Sequence, residues 1–379
     1  MKILIGADLV PTESNKDLFV SGDIDALLGQ ELRACLSEAD YRIFNLEVPL
    51  TNIADPIPKC GPNLIAAADT VKAYSEMGVD LVTLANNHTM DQGAQGMAST
   101  CRTLTDANIS FLGAGENISR AAEPYIVCTQ GKKIGIYACC EHEFGIASEQ
   151  EPGANPFDPL ESLGHISKLK AECDKVIVLY HGGKEHYRYP SPNLRKVCRK
   201  IIESGANIVI CQHSHCIGCE EKYLDGTIVY GQGNFLFDLS ESEYWQTSLL
   251  LSLDEEMNVT YLPLIKHGNG VRLAKGEASN QILNDFRRRS EEITQDGFVE
   301  KKYQEFADAM VNNYLFTFSG VRRTFFYKVF DKLSGHRLTS VILKRKYKLE
   351  KRLALRNFIE CEAHRELLLQ GIKKENNQF

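Results

Sequence analysis

The chain has 379 residues, 43% hydrophobic and 25% charged, a balance that excludes a mostly disordered or collagen-like protein. No run reaches the roughly 18 apolar residues that a membrane-spanning helix needs. The net charge of −7 hides an asymmetry. From Val321 onward 15 basic residues face 6 acidic ones, a balance of +9, leaving 28 basic and 44 acidic residues upstream, or −16. An acidic body of this kind is a poor nucleic-acid channel, so no nucleic-acid partner is expected, whereas the basic tail suits an anionic surface.

Residues 2–7 are apolar and read as a strand, not as a secretory leader, so the chain is expected to be cytoplasmic. A helix over 23–39 leads to a strand at 41–46. A helix over 69–77, stopped by Gly78, leads to a strand at 79–84, and a helix over 91–107 follows. Two strands are joined through Gln130-Gly131-Lys132. Strands at 174–180 and 207–211 flank a helix at 193–204, and Asp225-Gly226 marks a hairpin. The last strands are expected at 249–253 and 259–265. This alternation predicts a layered α/β domain. Past Gly270 the pattern turns helical, with helices over 279–293, 298–314 and 341–370, the last stopped by Gly371. The expected division is 1–269 and 270–379. The twelve cysteines fall within helical and strand patterns and are expected to be reduced thiols.

In open α/β sheets, functional groups gather beyond the carboxyl ends of strands. Here the strands run into Asp8, Asn45-Leu46-Glu47, Asn86-Asn87-His88, His181, Gln212-His213-Ser214-His215 and Gly233-Asn234. Carboxylate, carboxamide and imidazole groups are those that hold divalent metals. Each has an ordinary alternative: Asp8 or Asn86-Asn87-His88 as caps, and His213 with His215 as a surface pair pointing one way from a strand end. Their coincidence at successive exits favours a metal site, since two ions need roughly five to seven ligands on one rim. Cys216-Ile217-Gly218-Cys219 has zinc-knuckle spacing but no second pair, and Gly113-Ala114-Gly115 lacks a phosphate-loop lysine. Lys344-Arg345-Lys346-Tyr347-Lys348 is either a solvated helix face or a peripheral contact with an anionic membrane or polymer.

The segments Asn45-Leu46-Glu47-Val48-Pro49-Leu50-Thr51, Ala85-Asn86-Asn87-His88-Thr89-Met90-Asp91-Gln92-Gly93, Gly113-Ala114-Gly115, His181-Gly182-Gly183-Lys184-Glu185-His186-Tyr187 and Gly233-Asn234-Phe235-Leu236-Phe237-Asp238 closely resemble the CapA family. These are capsule and poly-gamma-glutamate biosynthesis proteins with a calcineurin-like metallophosphatase fold. The resemblance covers about residues 1–265 and stops short of the tail.

It implies an αββα sandwich of the metallophosphatase type with a helical C-terminal extension, and two divalent ions, with Mn, Zn, Fe and Mg undistinguished. Asp8 and His215 would hold the first ion, Asn87, His181 and His213 the second, and Glu47 would bridge them. His88, Glu185 and Asn234 are the implied catalytic residues, and Asn45, Asn86, Asp91, His186 and Asp238 the implied substrate contacts. The implied activity is a hydrolase using a metal-bound hydroxide on a phosphoester or gamma-glutamyl bond of an anionic polymer, within a polymer-synthase complex. The chain departs from the pattern in five places. Val10 replaces a histidine, Gly182 a tryptophan, Cys211 a glycine, Gln212 a histidine and Ser214 a proline. Those departures support the alternative of a non-catalytic scaffold or polymer-binding subunit.

Overall fold

Alternation within the strand Ile3–Val10 separates two packing layers: Ile3 and Ile5 face one core, Leu4 the other. In the computed structural model, which describes residues 1–129, 131–237, 241–321, 325–335 and 337–376, that strand lies inside an eight-stranded sheet. Parallel neighbours Tyr41–Leu46, Leu81–Thr83 and Ser110–Leu112 extend the sheet on one side. Antiparallel Thr247–Leu253, Val259–His267 and Gly270–Leu273 extend it on the other. Asn234–Phe237 pairs in parallel with the far end of Ile3–Val10. A Cβ on Gly6 would stand 2.1 Å from Phe44 Cε1, so the strand passes that ring only as glycine.

The second sheet has six strands in the order Glu220–Tyr223, Gly226–Tyr230, Ile208–Gln212, Lys175–His181, Lys132–Cys140 and Tyr125–Thr129, with a parallel centre and antiparallel edges. Ile3, Ile5, Ile43 and Leu251 of the first sheet meet Ile136, Ile177, Leu179 and Ile210 of the second in a buried layer. Each such side chain taken fully out of water contributes about 1.5–3 kcal/mol. On the outer face of the first sheet, Leu27, Leu28 and Leu32 of Ile24–Ser37 cover Leu4 and Phe44. On the outer face of the second, Leu194, Cys198 and Ile201 of Pro192–Glu203 cover Val178 and Val209. That helix is fixed at its start by Ser191, whose side chain accepts from Leu194 N, and by Pro192 in its first turn. The order of layers is therefore helix, sheet, sheet, helix.

The compact unit built on these sheets is Met1–Glu300, so the boundary expected at 269/270 is corrected. Gly270–Leu273 completes the first sheet, and Gly276–Glu292 buries Phe286 against Tyr261, with ring centroids 4.6 Å apart. The described residues of the second unit, Lys301–Phe379, are mostly helical. The single helix expected over 341–370 is three: Arg337–Lys346, Leu349–Glu360 and Glu362–Asn376. Extended backbone at Lys348 (φ −63°, ψ 166°) and Cys361 (φ −78°, ψ 118°) interrupts it, and the last helix continues through Gly371. Leu315, Phe316 and Leu343 form this unit's small core. Among the described residues, no helix is long and apolar enough to cross a membrane.

Candidate metal centre

Sheet pairing brings the functional residues side by side. Asp8 is in register with Asn45 on one neighbour and Asn234 on another, and His181 with Gln212. The pairing with Tyr41–Leu46 slips between Ile5 and Asp8, an irregularity of the kind that re-aims a side chain at a sheet end. His213 and His215 lie past the end of Ile208–Gln212, with φ of 95° and 53°. This corrects the expectation that the two point one way from a strand. Positive φ for histidine is uncommon and strained, and here it turns the rings to different carboxylates.

Two groups result, sharing one residue. In Asp8, Glu47 and His215, and again in Glu47, His181 and His213, the potential ligand atoms lie within 4.8 Å of one another. His181 Nε2 stands 3.2 Å from Glu47 Oε1, 3.1 Å from His213 Nδ1 and 3.0 Å from Asn87 Oδ1. His215 Nδ1 lies 3.4 Å from Asp8 Oδ2 and 2.9 Å from Asn234 Oδ1. Asp8 and Glu47 are fully buried, yet Asp8 Oδ2, both Glu47 carboxylate oxygens and Asn234 Nδ2 have no hydrogen-bond partner. A buried carboxylate whose oxygens lack donors costs several kcal/mol unless it takes up a proton or a cation compensates it. Two carboxylates and three imidazoles converging in this way fit a divalent ion.

The electrostatics carry the same strain. Burial, with Asp8 beside it, pushes the Glu47 carboxyl up to about 8. Burial pushes Asp8 up too, but the His215 imidazole and the charges around it outweigh this and hold Asp8 below the usual range. Burial lowers His181 to about 3 and takes His213 well below its ordinary value, with His181 adding to the effect. Burial opposes protonation of His215 as well, but Asp8 and Glu47 prevail and raise it to about 9.

A second set of residues supports this one. Asn45 Nδ2 donates to Asp8 Oδ1 at 2.8 Å and lies 3.2 Å from His181 Nδ1. Asn86 Nδ2 donates to Asn45 Oδ1 and to the Leu46 carbonyl, while its Oδ1 accepts from His88 N and Thr89 Oγ1. Asp91 accepts from Leu64 N, lies 2.6 Å from His88 Nδ1, and pairs with Lys59 through its other oxygen. Asn45, Asn86 and Asp91, expected as substrate contacts, hydrogen-bond or lie close to Asp8, His181 and His88. Asp238 lies outside the described residues. Glu185 sits at the rim. Burial raises its carboxyl, but Lys184, His213 and His215 prevail and lower it overall.

Three neighbours were not anticipated. Lys59 is buried beside Asp91, 3.3 Å from His88 Nδ1 and 4.8 Å from the centroid of the Phe144 ring. It lies in a loop after Pro56-Ile57-Pro58, without periodicity to place it. Trp245, the sole tryptophan, lies with its ring 4.7 Å from that of His215 and donates through Nε1 to His186 Nε2 at 3.0 Å. Tyr244 stacks on His186 at 5.2 Å and 13°. A tryptophan at position 182 would not fit, because a Cβ there would lie 2.4 Å from Tyr180 Cε1.

The fold and site together define an αββα protein with a candidate divalent-metal centre where the strand ends of both sheets meet. The chain belongs to the bacterial capsule synthesis protein PGA_cap family, whose model matches residues 3–239. It is 32% identical over 212 residues to the capsule biosynthesis protein CapA of Bacillus anthracis, covering 54% of this chain and 52% of that protein. It is 31% identical over 176 residues to the PGA biosynthesis protein CapA of Bacillus subtilis (strain 168), covering 45% of this chain and 46% of that protein. The chain thus spans about half the length of the curated relatives it matches. A solved structure of a phosphatase from Mycoplasma pneumoniae aligns with a TM-score of 0.43 at 13% identity, covering 70% of this chain and 93% of that one.

Proposed function

We propose that this protein acts in the biosynthesis of an anionic cell-surface polymer, such as a capsule or poly-gamma-glutamate, as a metal-dependent hydrolase of a phosphoester or gamma-glutamyl bond. The observation carrying the proposal is the pair of buried carboxylates, Asp8 and Glu47, whose unpartnered oxygens face three imidazoles. Asp8 and His215 would hold one ion, and His181, His213 and Asn87 a second, with Glu47 shared. When bound, divalent ions supply Lewis-acid charge to the reacting group and make water more acidic. Asp91 orients His88: with the Nδ1 proton directed at the carboxylate, Nε2 remains to exchange a proton with substrate or leaving group. Lys59 holds the far side of Asp91 and so keeps that dyad in place. Glu185, His186 and Asn234 line the rim, where a polyanion would approach past Lys184.

A second reading has its own observation. Val10, where metallophosphatases carry a histidine, is buried and pairs its backbone with Phe237. The Asp8 group therefore has no second imidazole from that strand, which suits a binding subunit of a synthase complex. Manganese-loaded protein assayed on bis(p-nitrophenyl) phosphate and on a gamma-glutamyl oligomer separates the two. Turnover of either substrate that is abolished by Glu47→Gln supports the hydrolase. Metal binding without turnover of either one rejects it in favour of the binding subunit.

A further inference from the structure

Among the described side chains of the helix Phe325–Leu333, Tyr327 packs on Phe316 with ring centroids 5.3 Å apart, and the carboxylate Asp331 is buried and accepts from Thr339 N at 2.9 Å and Thr339 Oγ1 at 2.7 Å. Tyr327 reaches the same threonine, its hydroxyl 2.7 Å from Thr339 Oγ1. These contacts fix the rotation of the helix, so Val329, Phe330 and Leu333 are left facing solvent, Phe330 being 61% and Leu333 78% exposed. The next helix, Arg337–Lys346, adds Leu338 and Val341 three residues apart, both exposed. Lys332 and Arg337 are exposed beside these residues in the sequence, and Lys344, Arg345 and Lys346 fill the last turn.

We propose that this surface docks on an anionic lipid bilayer, lying in the interface with Phe330 and Leu333 inserted and the lysines and arginines at headgroup level. Apolar side chains bordered by Lys and Arg suit such a surface, whereas protein interfaces are depleted in lysine at their centres. The tail's balance of +9 supplies the charge complementarity and opposes pairing with the same region of a second copy. No described helix is built to span a bilayer, so contact is peripheral. The surface lies beyond residues 3–239, the part matched by the family model, and is independent of the metal centre.

The test is sedimentation of the full chain with vesicles of phosphatidylcholine alone or mixed with phosphatidylglycerol. At least tenfold stronger binding to the anionic vesicles is expected, weakening with salt. Phe330→Asp with Leu333→Asp should reduce it at least tenfold with the far-UV circular dichroism unchanged. Lys344→Glu with Arg345→Glu, which leaves the apolar surface intact, should remove the preference for anionic vesicles. Equal binding to both vesicles, no binding to either, or binding unaffected by both double variants overturns the proposal. So does self-association by light scattering that the Phe330 and Leu333 changes abolish while vesicle binding stays absent, since the occupant would then be a second copy.

Discussion

The sandwich and the helical tail handle unfavourable groups in opposite ways. In the sandwich, apolar side chains are buried between and outside two sheets, and the exposed cost is internal: carboxylates without partners at one edge. In the tail, the buried carboxylate is satisfied, and the unfavourable groups are the apolar side chains facing water. Unpartnered buried charge calls for a cation; displayed apolar surface calls for a covering phase.

The contrast can be broken most severely at the buried Lys59–Asp91 pair. Lys59→Met should destabilise the protein by about 3–5 kcal/mol in urea unfolding, because it leaves Asp91 charged and buried. Adding Asp91→Leu should recover part of that loss. Next comes the layer between the sheets, where Ile177→Ala should cost about 2–5 kcal/mol by the same measurement. At the centre itself, Glu47→Gln should lower manganese affinity at least about a hundredfold, since changes even to groups behind metal ligands cost roughly 10–100-fold. Trp245 gives the readout: it is the sole tryptophan and packs on His215, so its fluorescence should respond to metal in the parent and not in the variant.

Acidity sharpens the comparison further. Glu47, raised to about 8, and His215, raised to about 9, both hold protons at neutral pH that a metal must displace. Manganese affinity should therefore fall as pH drops below 8, by up to about tenfold per unit for each proton displaced. Calorimetry in buffers of different ionisation enthalpy would count those protons. Without metal the sign reverses. Both groups are raised above their unfolded values, so their stabilising contribution is complete at low pH and is lost as pH climbs from 4.5 to about 8 for Glu47 and from 6.5 to about 9 for His215. The smallest effect belongs to the tail, where Phe330→Ala should change stability by no more than about 0.5 kcal/mol, since the side chain is already in water.

Much of the centre was legible because it follows strand ends. Glu47 and His181 follow or end parallel strands whose apolar runs are plain in the sequence, Asp8 lies two residues from the end of Ile3–Val10, and parallel strands place their ends on one edge. The assignment of His213 and His215 to different groups came from the family resemblance and not from strand periodicity, since it depends on positive φ beyond the strand. The hydrogen-bond partners of Asn45, Asn86 and Asp91 were not legible, since some of them lie on other strands and loops. Lys59 reaches Asp91 from 32 residues away through a loop with no periodicity. In the tail, the run rich in Leu, Lys, Arg and Glu holds no proline to mark the breaks at Lys348 and Cys361, so one helix was expected where three form.

Anomalous diffraction from manganese-soaked crystals examines the metal centre most directly. Peaks beside Glu47, one reached by Asp8 and His215 and one by His181 and His213, are the expected result, with both lost in Glu47→Gln. An occupied manganese site elsewhere with none at Glu47, or no peak at all in crystals soaked at millimolar manganese, would contradict it.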